Sequence, residues 1–278
     1  VDGSVYAIAV RGELVYVAGA FTRAGRRAAR NIAVFNRKTG EWGALGQGIG
    51  GHQFSYASTL CFVGDQLFVG GRFLTAGEIV AVNIARWDGT QWSPLAEGMN
   101  KPVHALKFEG TQVYVGGEFS SAGNIPASLI ARWDIATQQW EALGDGLRGH
   151  FVPQVASIAL LDGKVIAAGN FYQSGNDSLY HIAAWDGNRW NPLGSGLGLS
   201  ANAAVATSEG LFVGGDFLRA GHKDSYYFAY WSNKISANNP RERYPATVLI
   251  APNPASIGET VILTLNLPSA SVGIYNLL

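Results

Sequence analysis

Five histidines and one pair of carboxylates are the side chains in this sequence whose type and spacing could build a site. Glu118 and Asp216 hold the same place in two copies of one phrase, VGGEF and VGGDF. Two carboxylates facing one channel roughly 5–10 Å apart can divide acid and base roles in glycoside hydrolysis, which makes this pair a weak catalytic candidate. His52 and His150 lie 98 residues apart in two long, matching segments, GQGIGGHQFSYAS and GDGLRGHFVPQVAS. His104 and His181 open apolar segments, and His222 follows the dipeptide AG. No pair shows the H-x-H or H-x-x-x-H spacing of metal ligands, so no metal and no cofactor is expected. The histidines stand instead as ligand-binding candidates. Arg72 and Asn170 join them, because they hold the place of Glu118 in their own copies of the phrase. Polar residues at that place have a plainer use too, which is to satisfy backbone groups at strand ends.

Other chemistries lack their residues. Cys61 lies inside the apolar run TLCFVG, reads as a buried small hydrophobe, and has no surrounding ligand pattern for copper-radical oxidation. WDGTQW has its glycine and tryptophan at the wrong offsets for a sialidase Asp-box, and nothing matches a G-x-S-x-G elbow, a P-loop or an EF-hand loop. Lys+Arg and Asp+Glu both total 20, so no net field draws nucleic acid or an anionic membrane. No apolar run approaches the roughly 18 residues of a membrane-spanning helix. The opening VDGSVYAIAV has no charged-then-apolar leader, so any signal peptide is expected to have been removed or to lie outside this sequence. The basic run TRAGRRAAR (Arg23, Arg26, Arg27, Arg30) reads as a solvated loop, and a monomer is expected.

What positions the candidate residues is a repeat. The phrase recurs as VAGAF, VGGRF, VGGEF, AAGNF and VGGDF, and its closing phenylalanines, Phe21, Phe73, Phe119, Phe171 and Phe217, are 52, 46, 52 and 46 residues apart. Each repeat is therefore one supersecondary unit packing on its neighbours, and the true period is a 98-residue pair. In the first repeat SVYAIAV, ELVYVAGAF, NIAVF and EWGALG read as four short strands separated by Gly, Asn and Asp turns. All eight tryptophans fall in the third- and fourth-strand phrases, where they are expected to pack repeat against repeat. Asp88, Asp134 and Asp186, each following a tryptophan, are expected to cap the next turn through backbone N–H groups.

Four antiparallel strands repeated about every 49 residues describe β-propeller blades. The fold expected is all-β: a β-propeller of five four-stranded blades over residues 1–235, a linker over 236–245, and a short C-terminal β segment over 246–278. A six-bladed ring truncated at its start is the alternative, because an alternation of two repeat types closes on an even number. The fifth repeat lacks a tryptophan-bearing fourth strand, so its completion must come from residues 233–237, from the tail, or from sequence before Val1.

The glycine doublet ending the second strand, with two aromatics downstream, resembles kelch and galactose-oxidase-like propeller repeats. Phrases such as VYVGGEF and NIARWDGTQW are closer still to repeats of bacterial surface propellers and of the fungal cortical-marker Rax2-like family. The tail, with APNP at 251–254, VILTLNL and VGIYNLL, resembles the first half of a type IX secretion C-terminal sorting domain. That resemblance implies an extracellular or cell-surface location. Propellers host many activities, and the function expected is a glycan- or protein-binding or adhesion module. The alternatives are a structural repeat segment of a larger exported protein, and a glycan-active hydrolase using Glu118 and Asp216.

Overall fold

A computed structural model describes residues 1–232, which fall within the first of two units, Val1–Asn233 and Lys234–Leu278. The linker and the sorting-domain-like tail lie outside the described residues. The described residues are all-β, with no helix, and build antiparallel sheets of the kind that make propeller blades. Sheet one pairs Ser4–Arg11, Leu14–Ala20, Ile32–Asn36 and Glu41–Ala44 in sequence order. Sheets two, three and four repeat that order, starting at Tyr56–Val63, Val103–Glu109 and Gln154–Leu161. Among the described residues, sheet five has three strands, Ala201–Ala206, Leu211–Gly215 and Phe228–Trp231. The first strands of successive sheets pack side by side, one to two through four to five.

The recurring phrase owes each letter to a different contact. The first strand of every sheet carries a bulge, between Val5 and Ala7, Ala57 and Thr59, Val103 and Ala105, Val155 and Ser157, and Ala201 and Ala203. The bulge pushes a first-strand carbonyl against the second residue of the doublet. A Cβ on Gly19, Gly71, Gly117, Gly169 or Gly215 would collide with the backbone oxygen of Ser4, Tyr56, Pro102, Gln154 or Ser200. Only glycine fits there. The closing phenylalanine is the plug beneath the turn, 4% exposed in Phe21 and 0% in Phe119, Phe171 and Phe217.

The segment read as a loop between second and third strands contains a two-residue hairpin, for example Arg23–Ala24 with Arg27–Ala28. Its glycine sits at positive φ (Gly25 +57°, Gly77 +60°, Gly123 +55°), and a Cβ there would meet the indole of Trp42, Trp92 or Trp140. The arginines of the first hairpin are exposed, as the solvated reading expects.

The tryptophans join sheet to sheet. Trp92, Trp140 and Trp190 donate their indole N–H to the carbonyls of Leu45, Leu95 and Leu143 in the preceding sheet, at 2.9, 3.2 and 3.0 Å. Four apolar clusters fill the four junctions between sheets; Ala18 and Ala57 share one, and Ala168 and Ala201 another. Cys61 is half-buried at one junction, and burial pushes its thiol pKa up.

The WD aspartates cap turns as expected. Asp88 Oδ1 accepts the N–H groups of Thr90 and Gln91, Asp134 those of Ala136 and Thr137, and Asp186 those of Asn188 and Arg189. These bonds favour the carboxylate, holding Asp88 and Asp186 at a pKa of about 2 and Asp134 below its ordinary value. A carboxylate bound more tightly in the folded chain stabilises it above the unfolded pKa of about 4, and that stabilisation disappears as pH falls through the folded value. Urea-unfolding midpoints should therefore hold steady down to about pH 5 and fall between pH 4 and 2. Replacing Asp88, Asp134 and Asp186 together by Asn should flatten that fall.

Candidate functional site

Three of the polar residues at second-strand ends, Glu118, Asn170 and Asp216, bond the segment that enters their own sheet. Asn170 donates through Nδ2 to the carbonyls of Phe151 and Val152 at 2.6 and 3.2 Å, so it shapes the loop bearing His150. Asp216 accepts from Ser200 Oγ and Asn202 Nδ2 at 3.0 and 3.3 Å. Glu118 meets His104 Nε2 at 2.9 Å, both side chains being partly buried. Glu118 and Asp216 thus each have local partners in their own sheets, two repeats apart.

The histidines fall into separate places. His150 stacks on Tyr172 with ring centroids 4.4 Å apart, beside Phe151, which is 87% exposed. His181 is half-buried at a positive φ of 71°, the same place in its sheet as Asn31, Asn83, Leu129 and Tyr227. In sheets one and two that asparagine accepts from the plug phenylalanine's N–H and donates to the carbonyl of Ile49 or Met99 at 2.9 or 2.8 Å. His181 occupies the position without that bridge, its Nδ1 is buried with no partner, and desolvation lowers its pKa. His222 bonds Ser195 Oγ at 3.0 Å and, like His181, lines an open cleft beside Arg219.

His52 is placed differently. It lines two adjoining clefts, one of about 540 Å³ at sheets one and two and one of about 400 Å³ at sheets two and three. Tyr56 lines both as well. The larger cleft adds Tyr6, Phe54 and Arg30; the smaller adds Arg72, Asn100, Lys101 and Glu118. The loop that presents His52 is closed on itself: the His52 N–H donates to Ser55 Oγ, which donates back to the His52 carbonyl, at 3.0 and 2.8 Å. His52 Nδ1 accepts the Phe54 N–H at 3.0 Å. That fixes the neutral ring as the Nε2–H tautomer, leaving Nε2–H as a donor.

Burial, and after it the charge of Glu118, pushes the Tyr56 pKa up, with Arg72 pulling the other way. The phenol therefore stays protonated and can donate as well as accept. Tyr6 packs edge-on against Tyr56 with centroids 5.8 Å apart, and Phe54, 63% exposed, flanks the His52 ring at 6.2 Å. The clefts together offer aromatic edges, two guanidiniums, an ammonium group, a carboxylate, an imidazole donor and two phenols in an open setting. This is equipment for holding a polar ligand against aromatic surface.

Of the candidate residues, His52, Arg72 and Glu118 come together here, with His104 behind Glu118. His150 with Asn170, and His181 with His222, lie elsewhere. Tyr6, Phe54 and Tyr56 were missed by sequence reasoning. A signal existed for Tyr56, since it pairs directly opposite Arg72 in the sheet. The bulge that sets that register is marked in the sequence only on the partner strand, by the second glycine of the doublet.

A family model described as the Rax2 C-terminal beta propeller domain matches residues 90–195, the stretch holding sheets three and four. This supports membership of the repeats in a propeller-repeat class. No curated protein matches the chain. Among solved structures, the chain is similar to the computationally designed Ika4 protein at 21% identity and TM-score 0.42, covering 66% of this chain and 90% of that one. It is also similar to the computationally designed Ika8 protein at 18% identity and TM-score 0.45, covering 82% of this chain and 71% of that one.

Proposed function

We propose that this chain is a propeller-type binding module for a glycan or a protein, working outside the cell or at its surface. The observation that carries the reading is the pair of clefts sharing His52 and Tyr56, where exposed aromatics stand beside Arg72 and Glu118. Aromatic rings and planar polar groups on an open surface suit a sugar ring or a polar peptide. Catalysis by Glu118 and Asp216 is the weaker reading, because Glu118 is engaged by His104 and Asp216 by Ser200 and Asn202.

The finer fold reading is a kelch-like propeller of five blades, with a truncated six-bladed ring as its alternative. Surface export rests on the sorting-domain-like residues 246–278. A glycan array probed with the purified chain tests the reading. Retention of one sugar class, lost on Tyr56→Ala, is the expected result. An array with no retained sugar leaves only the protein-ligand form, and failure of Tyr56→Ala to weaken a retained sugar would remove the clefts from the account.

A further inference from the structure

The two clefts that share His52 and Tyr56 are unevenly charged. Arg30 lines the larger and Arg72 with Lys101 the smaller, all three exposed. Among the described residues lining either cleft, Glu118 alone is acidic, and it is hydrogen-bonded to His104 Nε2 at 2.9 Å. No carboxylate of the described residues pairs with the three cations, whereas Arg11, Arg37, Arg132 and Arg219 elsewhere each have one. Asp2 bonds Thr22 of the larger cleft, and its oxygens are taken by Thr22 Oγ1 and by the N–H groups of Thr22 and Arg23, at 2.7, 2.8 and 2.9 Å. The clefts therefore hold positive charge that the described residues leave without a counter-charge.

Both guanidiniums are placed by the fold. A Cβ on Gly50 would stand 3.0 Å from Cδ and Nη1 of Arg30, so that side chain lies against backbone that carries no side chain of its own. Arg72 ends the second strand of sheet two and pairs opposite Tyr56. One guanidinium thus belongs to each cleft, while His52 and Tyr56 belong to both. A ligand crossing from one cleft to the other passes the imidazole and the phenol between two cations. The guanidinium fork meets a carboxylate or a sulfate through two parallel bonds, and clefts of one charge sign concentrate ligands of the other. A neutral sugar would leave all three cations unused. An acidic peptide would use the cations but make less of the exposed rings of Tyr6 and Phe54, against which the apolar face of a sugar can lie.

We propose that the ligand of these clefts is an anionic polysaccharide, a run of sugars bearing carboxylate or sulfate groups. Arg30 takes one anionic group, Arg72 and Lys101 take another, and a sugar ring between them lies against Tyr56. This rests on the clefts being the ligand site, and it narrows that ligand to the acidic class. Glu118 is then the one unfavourable charge in the path, so its removal should help binding rather than abolish it. That sets the inference apart from a hydrolase, in which the same carboxylate would be required.

The test is a calorimetric titration of the full 278-residue chain with four probes. These are a galacturonate oligomer, the same oligomer as its neutral methyl ester, a heparin oligosaccharide and poly-glutamate. The carboxylated or the sulfated oligomer should bind, which also tells the two anionic groups apart, and binding should weaken as salt is added. Arg30→Gln and Arg72→Gln should each weaken it about tenfold, the scale of a charged hydrogen-bonded contact. Glu118→Gln keeps an acceptor for His104 and should tighten binding about two- to fivefold, the scale of one exposed charge contact. A methyl ester that binds as tightly as the acid, and is lost on Tyr56→Ala, would overturn the anionic inference while leaving the clefts as the ligand site. Poly-glutamate binding more tightly than either acidic oligomer would hand the clefts to an acidic protein and overturn the inference too. An acidic oligomer whose binding ignores Arg30→Gln, Arg72→Gln and Tyr56→Ala alike would overturn both the inference and the cleft reading beneath it. No binding of any probe would overturn the inference.

Discussion

Phe119→Ala should cost about 3–5 kcal/mol of folding stability, the range for truncating a fully buried aromatic ring. Phe119 is 0% exposed and belongs to the cluster filling the junction of sheets two and three. Its backbone is engaged as well, since its carbonyl accepts the Leu129 N–H at 2.8 Å and so closes the turn into the third strand. The void left by alanine cannot collapse, because strand ends on both sides are fixed by that turn. Urea unfolding of the variant against the parent chain reads the loss. A cost below about 1 kcal/mol would show that the plug is not what holds the repeat together.

Gly71→Ala should be nearly as damaging for a different reason. Its Cβ would press on the Tyr56 carbonyl and stand 2.8 Å from the Ala57 Cα, and neither backbone atom can move without undoing the bulge. The expected cost lies at or above the top of the about 1–3 kcal/mol usual for overpacking. Gly64→Ala is the matched control: φ is +55° with nothing within 4 Å, so only the left-handed backbone opposes alanine, at about 1–2 kcal/mol. Equal losses for the two variants would contradict the steric account. Gly71→Ala should also disturb ligand binding, because Tyr56 and Arg72 flank the bulge.

Much of the fold was legible because repetition averages out local ambiguity. One copy of VGGRF could belong to many strands; five copies at alternating spacing fix strand order, turn positions and the fifth repeat's missing fourth-strand tryptophan. The tryptophans' role between repeats was also legible, although their partners, the backbone carbonyls of Leu45, Leu95 and Leu143, carry no side-chain mark. The site was only partly legible. The shared place in the phrase grouped Arg72, Glu118, Asn170 and Asp216, while the structure gives Asn170 and Asp216 to loop anchoring. His52 and His150 looked equivalent at 98 residues apart. One lines two clefts and the other stacks on Tyr172. That difference comes from neighbours far along the chain, Tyr6 and Glu118 among them, which spacing does not reveal.

The most direct test of the function is a comparison of two histidines. Once the array or a binding screen has supplied a ligand, calorimetric titration should be run on the parent chain, His52→Ala and His150→Ala. His52→Ala should lose at least tenfold in affinity, about 1.4 kcal/mol, with His150→Ala within twofold of the parent. Equal effects of the two substitutions, or a loss confined to His150→Ala, would contradict the assignment of the ligand to the clefts around His52 and Tyr56.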